Sequence, residues 1–348
     1  MVANVIGRPS SIWPSVGDLP RSFKGSFHIP VGSLADGLDA TIQINVIAGE
    51  SPRPVIVAVS GHHGDEGEGP ASMIETWRSL EPRDVTGTVL LIPVLNLPAF
   101  RLGQRKGPDD GADINRIFPG ERDGTMTSRI ASAFVNGVAK DADFIASMHG
   151  WSAGYVVSPY VEYPTLTSVS DRSQRAAASF GLPYVNPLEA GPGRLLTVAS
   201  TLGIPIIEIE IGGQGVSLDS HRALYEVGVR RLLAQQGVTE GVAERTQPLT
   251  YVERVECFTP CEGILRPLVS LGDRVVASQP LADVYNLTLS SSTTVRAPSD
   301  GMVGILRLAA NVALGQLVAT IFHPIAEPSE TMASRSSHLA AAALDGES

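Results

Sequence analysis

Residues 54–61, Pro-Val-Ile-Val-Ala-Val-Ser-Gly, limit more than any other segment what this chain can fold into. An unbroken β-branched run closed by glycine reads as a strand covered on both faces. Such a strand needs a sheet around it and a layer above and below. Ala40 to Val46 alternates apolar and polar residues, as a half-buried strand does. Val89 to Leu95 is a second buried run, in which Pro93 points to an edge strand or a bulge. Phe144 to Met148 and Pro205 to Ile211 are further short apolar runs that end at glycine-containing turns. Pro70 to Leu80 reads as a helix with Met73, Ile74 and Trp77 on one side. Thr125 to Lys140 reads as a helix with Ile130, Phe134 and Val138 spaced four apart, and Arg222 to Gln236 as a closing helix. Strands alternating with helices predict an α/β core with a mostly parallel or mixed sheet.

A length of 348 residues predicts more than one domain. Residues 1–39, rich in Gly, Pro and Ser, read as an N-terminal extension with short strands, and 40–246 as the main unit. Residues 247–325 change character: short strands are punctuated by glycine, and no helical period appears. A weak repeat spaced by about 37 residues runs through them. Glu262-Gly263-Ile264-Leu265 is echoed by Asp300-Gly301-Met302-Val303, and Val275 and Gln279 by Val312 and Gln316. Two similar hairpin units folding on each other predict a small β sandwich or barrel. Residues 326–348 are poor in large apolar groups and read as a disordered tail.

The formal charge of −10, from 36 acidic and 26 basic residues, argues against nucleic-acid or anionic-membrane partners. No apolar run approaches the roughly 20 residues of a membrane span. The N-terminus lacks a basic segment followed by an apolar core, so no signal peptide and a cytoplasmic location are expected. Cys257 and Cys261 fit two reduced thiols; a zinc pair is the other reading, but no second pair completes a structural site.

The chemistry concentrates in Gly61-His62-His63-Gly64-Asp65-Glu66, directly after the buried strand. Ligands gather at the carboxyl ends of strands in open α/β sheets. His63 and Glu66 have the spacing of a metal-binding pair on one tight turn, and His149 stands at the end of another strand as a third ligand. Glu210 lies within the apolar run Pro205 to Gly213, where an acidic residue is costly unless something polar faces it. His62 reads as a residue that supports the ligands or packs beside them rather than as a fourth ligand, because neighbouring residues point to opposite sides.

Four motifs follow in order: GHHGDEGEGP, LNLPAFR, DINRIFPG and EIGG. Together they resemble the succinylglutamate desuccinylase/aspartoacylase family, within the wider zinc carboxypeptidase group, from about residue 40 to 325. The resemblance implies a zinc-carboxypeptidase-like mixed sheet flanked by helices and a small C-terminal barrel-sandwich-like β domain. It implies one Zn²⁺ per subunit on His63, Glu66 and His149, and a hydrolase that cleaves the amide of a small N-acyl amino acid. Glu210 matches the acid/base that works on zinc-activated water. Asn115 and Arg116 match the pair that grips the substrate carboxylate. Arg105 is a candidate for polarising the scissile carbonyl, with surface salt bridging as its other reading, and Asp113 is expected to orient its loop. A homo-oligomer is compatible with all of this. A desuccinylase, a carboxypeptidase-like peptidase and an esterase are the alternatives.

Two places depart from the family's pattern, the turn around His149 and position 208. Ser147 stands where an Asp usually precedes the second zinc histidine by two residues, and Trp151 alters the following turn. Glu208 replaces a small hydroxyl residue and shares a strand face with Glu210. Glu208 either favours a cationic substrate group or partners a nearby arginine. The C-terminal repeat also resembles biotinyl- or lipoyl-type domains, but a carrier needs a lysine and none follows Lys140.

Overall fold

The computed structural model describes residues 11–34, 37–165, 167–241 and 248–328. The boundary near residue 247 and most of the expected C-terminal tail lie outside the described residues. In chain order the elements begin with β1 (Ser11–Ile12), β2 (Phe23–Ser33), β3 (Asp39–Ala48), β4 (Val55–Ser60), α1 (Glu68–Ser79), β5 (Thr88–Ile92) and α2 (Leu97–Arg101). They continue with α3 (Met126–Gly137), β6 (Phe144–His149), β7 (Tyr155–Pro164), α4 (Ser170–Phe180), β8 (Tyr184–Leu188), α5 (Leu195–Thr201), β9 (Ile206–Gly213) and α6 (Asp219–Gln235). Only strands follow: β10 (Thr250–Phe258), β11 (Gly263–Pro267), β12 (Arg274–Val275), β13 (Pro280–Tyr285), β14 (Ser292–Arg296), β15 (Gly301–Arg307), β16 (Asn311–Val312) and β17 (Leu317–Pro324).

Strand β4 sits centrally because both of its faces are apolar. Val55, Val57 and Val59 enter one core, and Ile56 and Ala58 the other. It pairs in parallel with β5 and β6, and β6 pairs in parallel with β9. β3 and β7 join antiparallel on the two sides, so the sheet is mixed. α3 and α5 cover one face through Ile130, Phe134, Leu195 and Leu196. α1, α4 and α6 cover the other through Met73, Phe180, Tyr225 and Val229.

Three local expectations are corrected. Ile74 is 56% exposed, because α1 buries the stripe containing Ser72, Met73 and Thr76 and Ile74 lies round the helix from it. Pro93 marks neither an edge nor a bulge: β5 is an interior strand that ends at Ile92, one residue before it. Residues before 40 are not merely an extension, since β2 pairs with β3 from Phe23↔Ala48 to Ser33↔Asp39.

The C-terminal strands are woven into the main sheet rather than attached beside it. β10 pairs with β8, β17 with β10, and β15 with both β17 and β7, which closes a ring through β7–β8–β10–β17–β15. β14, β13, β11 and β16 form a second sheet over an apolar core that includes Leu265, Val284, Val303 and Ile321. The sequence repeat is structural. Each unit lends its short strand to the other, β12 to β15 and β16 to β11. Gln279 and Gln316 make the same turn contact, accepting from the N–H of Val276 (3.2 Å) and Ala313 (3.0 Å). Cys257 and Cys261 are free thiols. Among the described residues no helix is long and apolar enough to cross a membrane.

Candidate active site

The site is built at the carboxyl ends of β4, β6 and β9. Gly61, with φ of 61°, turns the chain out of β4 so closely that a Cβ would stand 2.8 Å from Val94 Cα. The turn presents His63 and Glu66. Glu66 lies between two imidazoles, Oε1 2.7 Å from His63 Nδ1 and Oε2 3.0 Å from His149 Nδ1. Gly150 N–H also donates to Glu66 Oε2 at 3.2 Å. The outer nitrogens face oxygen atoms: His63 Nε2 lies 3.1 Å from Asp113 Oδ1, and His149 Nε2 3.0 Å from Ser147 Oγ. With Nε2–H directed at those oxygens, both Nδ1 lone pairs point to the common centre. His63, Glu66 and His149 are buried, and one ligand atom of each lies within 4.8 Å of the others. Two nitrogens and a carboxylate leaving room for further ligands fit a catalytic divalent metal.

Strand register explains what surrounds this centre. Residues two apart on a strand share a face, and neighbours in register line up across the sheet. His149, Glu210, Tyr160 and Tyr184 form one row over β6, β9, β7 and β8. Ser147, Glu208, Glu162 and Asn186 form the row beneath it. The alternate residues Met148, Ile209 and Val161 point into the opposite core.

The loop between α2 and α3 closes the other side. Asp113 accepts from Arg105 Nε (3.1 Å) and from the N–H of Asn115 (3.0 Å). Burial raises the Asp113 carboxyl, but the His63 hydrogen bond and the Arg105 charge outweigh it and hold it well below the usual carboxylate range. Arg105 NH1 lies 3.3 Å from Glu66 Oε1 and 3.1 Å from Ser152 Oγ, so its guanidinium belongs to the centre rather than to a surface ion pair. Asn115 is fixed at both ends of its amide. Its Oδ1 accepts from Leu195 N–H and its Nδ2 donates to Glu208 Oε1, both at 2.9 Å. Arg116 is exposed on the rim and donates to the carbonyl of Asn115 at 2.7 Å.

Glu208 does not offer a free negative charge. Arg194 NH2 stands 2.9 Å from its Oε2, which is the arginine-partner reading of this residue. Arg194 also binds Glu162 Oε2 at 2.8 Å; Asn186 donates to Glu162 Oε1 at 3.0 Å, and Arg254 pairs with the same oxygen. Burial raises the Glu208 carboxyl, but Arg194 and then His149 outweigh it and bring it down to about 2. Glu162, Arg194 and Arg254 were not anticipated from sequence. Glu162 carries the signal that singled out Glu210, an acidic residue within an apolar strand. The arginines carry none, because Arg254 reaches the site only through the ring closure of β10.

Glu210 is buried, with Oε2 unpartnered among the described residues. Burial, then Glu66, Glu208 and Glu162, raise its carboxyl well above the ordinary value. A carboxyl so placed suits proton transfer near neutral pH once a metal cation offsets its acidic neighbours. His62 stacks on His149 (ring centroids 4.6 Å apart, planes at 22°) with neither nitrogen partnered among the described residues, so it packs rather than ligates. Burial, followed by His149 and His63, lowers its pKa well below the ordinary value. Above these groups opens a cavity of about 1300 Å³, lined by Glu210, Arg116 and Trp151 on one side and by Arg254, Arg307 and Gln316 of the C-terminal strands on the other.

The succinylglutamate desuccinylase/aspartoacylase catalytic domain model matches residues 52–235, which hold every proposed metal ligand and Glu210. The chain belongs to this family. Its sequence is 29% identical over 308 residues to the N-alpha-acetyl-L-2,4-diaminobutyric acid deacetylase of Halomonas elongata, covering 85% of this chain and 90% of that protein. Among solved structures, the product-bound ectoine utilization protein EutE (DoeB) from Ruegeria pomeroyi superposes with a TM-score of 0.81 at 26% identity, over 88% of this chain and 98% of that one. A succinylglutamate desuccinylase from Silicibacter sp. TM1040 also gives a TM-score of 0.81, at 25% identity, over 92% of this chain and all of the other. This family member therefore shares the architecture of its relatives along nearly its whole length. Its C-terminal strands are included.

Proposed function

We propose that this protein is a zinc-dependent deacylase that hydrolyses the amide of an Nα-acyl amino acid, with Nα-acetyl-L-2,4-diaminobutyrate as its first candidate substrate. The observation that carries the reading is the convergence of His63 Nδ1, Glu66 and His149 Nδ1 beside Glu210, its neighbour in register on β9. Zinc bound to those three residues would supply a Lewis acid that acidifies water and polarises an acyl oxygen. Glu210 removes the proton of the attacking water and returns it to the departing nitrogen. Arg105, placed at Glu66, donates a hydrogen bond to the carbonyl oxygen as charge develops there. Arg116, with the remaining N–H of Asn115, holds the substrate carboxylate and so fixes the amide over the centre. The central unit of residues 40–246 is read as zinc-carboxypeptidase-like and catalytic, and the unit of 247–325 as the far wall of the cavity.

The charge pattern favours an uncharged acyl group. Five arginines line the cavity. Arg105, Arg194 and Arg254 are paired with carboxylates, and Arg307 is buried and tied to the carbonyl of Asn311 at 2.6 Å. Arg116 is the one left to receive a substrate carboxylate among the described residues. A succinyl group would bring a second carboxylate with no matching cation. Turnover of Nα-acetyl-diaminobutyrate, other Nα-acetyl amino acids and Nα-succinylglutamate, measured before and after chelation and with zinc restored, tests this. Zinc-dependent release of acetate supports the reading. Activity that survives complete metal removal overturns the metal role, and preferred release of succinate overturns the substrate class.

A further inference from the structure

We propose that Glu208 is a positioning residue that ties the metal centre to the substrate-carboxylate grip: one carboxylate steadies both His149 and Asn115, so metal binding and substrate binding are coupled through it. The proposal rests on the metal site read above and adds a residue to it. Oε1 of Glu208 accepts from Asn115 Nδ2 at 2.9 Å and lies 3.5 Å from His149 Nε2. Oε2 is held by Arg194 at 2.9 Å, and Arg194 is anchored in turn by Glu162 at 2.8 Å. The carboxylate is thus pinned from behind, which lets it act as a fixed reference for His149 and Asn115 together. Asn115 cannot turn its amide over, because its Oδ1 is taken by Leu195 N–H.

Among the described residues His149 Nε2 also lies 3.0 Å from Ser147 Oγ. A serine hydroxyl can accept from Nε2–H but carries no charge, so the negative group on this side of the imidazole, opposite Glu66 at Nδ1, is Glu208, across the strand pairing Ser147↔Glu208. The same geometry brings His149, Glu208 and Glu210 close enough to suggest a second metal site. Oε1 of Glu208 accepts from Asn115 and Oε2 is ion-paired with Arg194 at 2.9 Å, though without the alignment of a hydrogen bond; the cation beside that oxygen opposes a second metal and supports a positioning role. Partners of the non-ligating nitrogen set the tautomer, direction and basicity of a ligating histidine.

The test compares wild type, Glu208→Gln and the double variant Ser147→Asp/Glu208→Gln. Zinc affinity is measured by competition with a chelator, and KM and kcat with Nα-acetyl-diaminobutyrate. Wild-type protein that binds no zinc would defeat the metal reading itself. If wild type binds zinc, Glu208→Gln is expected to weaken it by about 10- to 100-fold and to raise KM more than it lowers kcat. The double variant returns a carboxylate to the Nε2 side of His149 from β6, the strand that carries His149 itself. It is expected to recover zinc affinity while KM stays high: glutamine has one acceptor oxygen where glutamate has two, and with that oxygen turned to the Arg194 cation its NH2 group faces Asn115 Nδ2, donor against donor. Unchanged zinc affinity and KM in Glu208→Gln overturn the proposal. Should Glu208→Gln fail to fold, Glu208→Asp decides: it keeps the charge for Arg194 but shortens the side chain that reaches His149 and Asn115, so weakened zinc affinity with raised KM supports the coupling, and unchanged values of both overturn it.

Discussion

Strands β6, β7 and β9 carry two faces of opposite character over the same few residues. Toward α1, α4 and α6 they present Ala146, Met148, Val161, Tyr163, Ile207 and Ile209, all buried in one apolar core. Toward the cavity they present Ser147, His149, Tyr160, Glu162, Glu208 and Glu210. Burial works in favour of the first face, at roughly 1.5–3 kcal/mol for each large apolar side chain. On the second it works against folding, and each charge must be offset by a partner. The first face therefore holds the strands in place, and the second spends that rigidity on geometry. Glu162 and Glu208 are neutralised by arginines, whereas Glu210 is left surrounded by other carboxylates.

Variants on the two faces should separate activity from stability. The largest effect is expected from Glu210→Ala, which removes the proposed proton carrier without touching a proposed metal ligand: turnover should fall by about 10²–10⁴-fold at unchanged zinc content. Substantial residual activity would mean the two faces are not divided as described. Glu162→Gln should destabilise the fold by about 3–5 kcal/mol at neutral pH, because Arg194 and Arg254 then lose their shared buried partner. This cost should depend on pH. Burial raises the Glu162 carboxyl, but Arg254 and Arg194 outweigh it and hold it below its ordinary value of 4.5. Its contribution is thus complete above that value and is lost as pH falls below it. Urea unfolding at neutral pH and at successively lower pH should show the wild type converging on the variant.

On the apolar face, Ile209→Ala should cost about 2–5 kcal/mol in the same unfolding experiment. Because Ile209 stands between the two site glutamates but points away from them, kcat per folded molecule should barely change. A large loss of kcat would show that the site depends on the core behind it more tightly than the register implies. Arg116→Ala should leave both faces intact and act at the rim alone. Losing a charged hydrogen bond of about 1.5–3 kcal/mol should raise KM by roughly 10- to 100-fold, with melting temperature unchanged.

Much of this was legible in residue order. Short apolar runs closed by glycine marked β4, β6 and β9, although only β4 is apolar on both faces; in β6 and β9 one face carries Ser147, His149, Glu208 and Glu210. The trio that could hold a metal was legible in position, since His63 and Glu66 follow the end of β4 and His149 ends β6. Helix α4 and strands β7 and β8 went unread. Their turns and mixed composition carry no sustained period, although the acidic Glu162 in β7 was a usable signal.

The sequence by itself determined the α/β class, the hairpin repeat of the C-terminal strands and the candidate residues for the site, since these follow from local pattern and residue type. Only the tertiary structure decided which charges meet. Pairing of Ser147 with Glu208, closure of the β7–β8–β10–β17–β15 ring and delivery of Arg254 to Glu162 depend on strand register and sheet order. Those are set by packing between segments far apart in the chain. That is why Glu208 could be singled out from its position, while its bond to Arg194 could not be chosen over a charge left free for substrate.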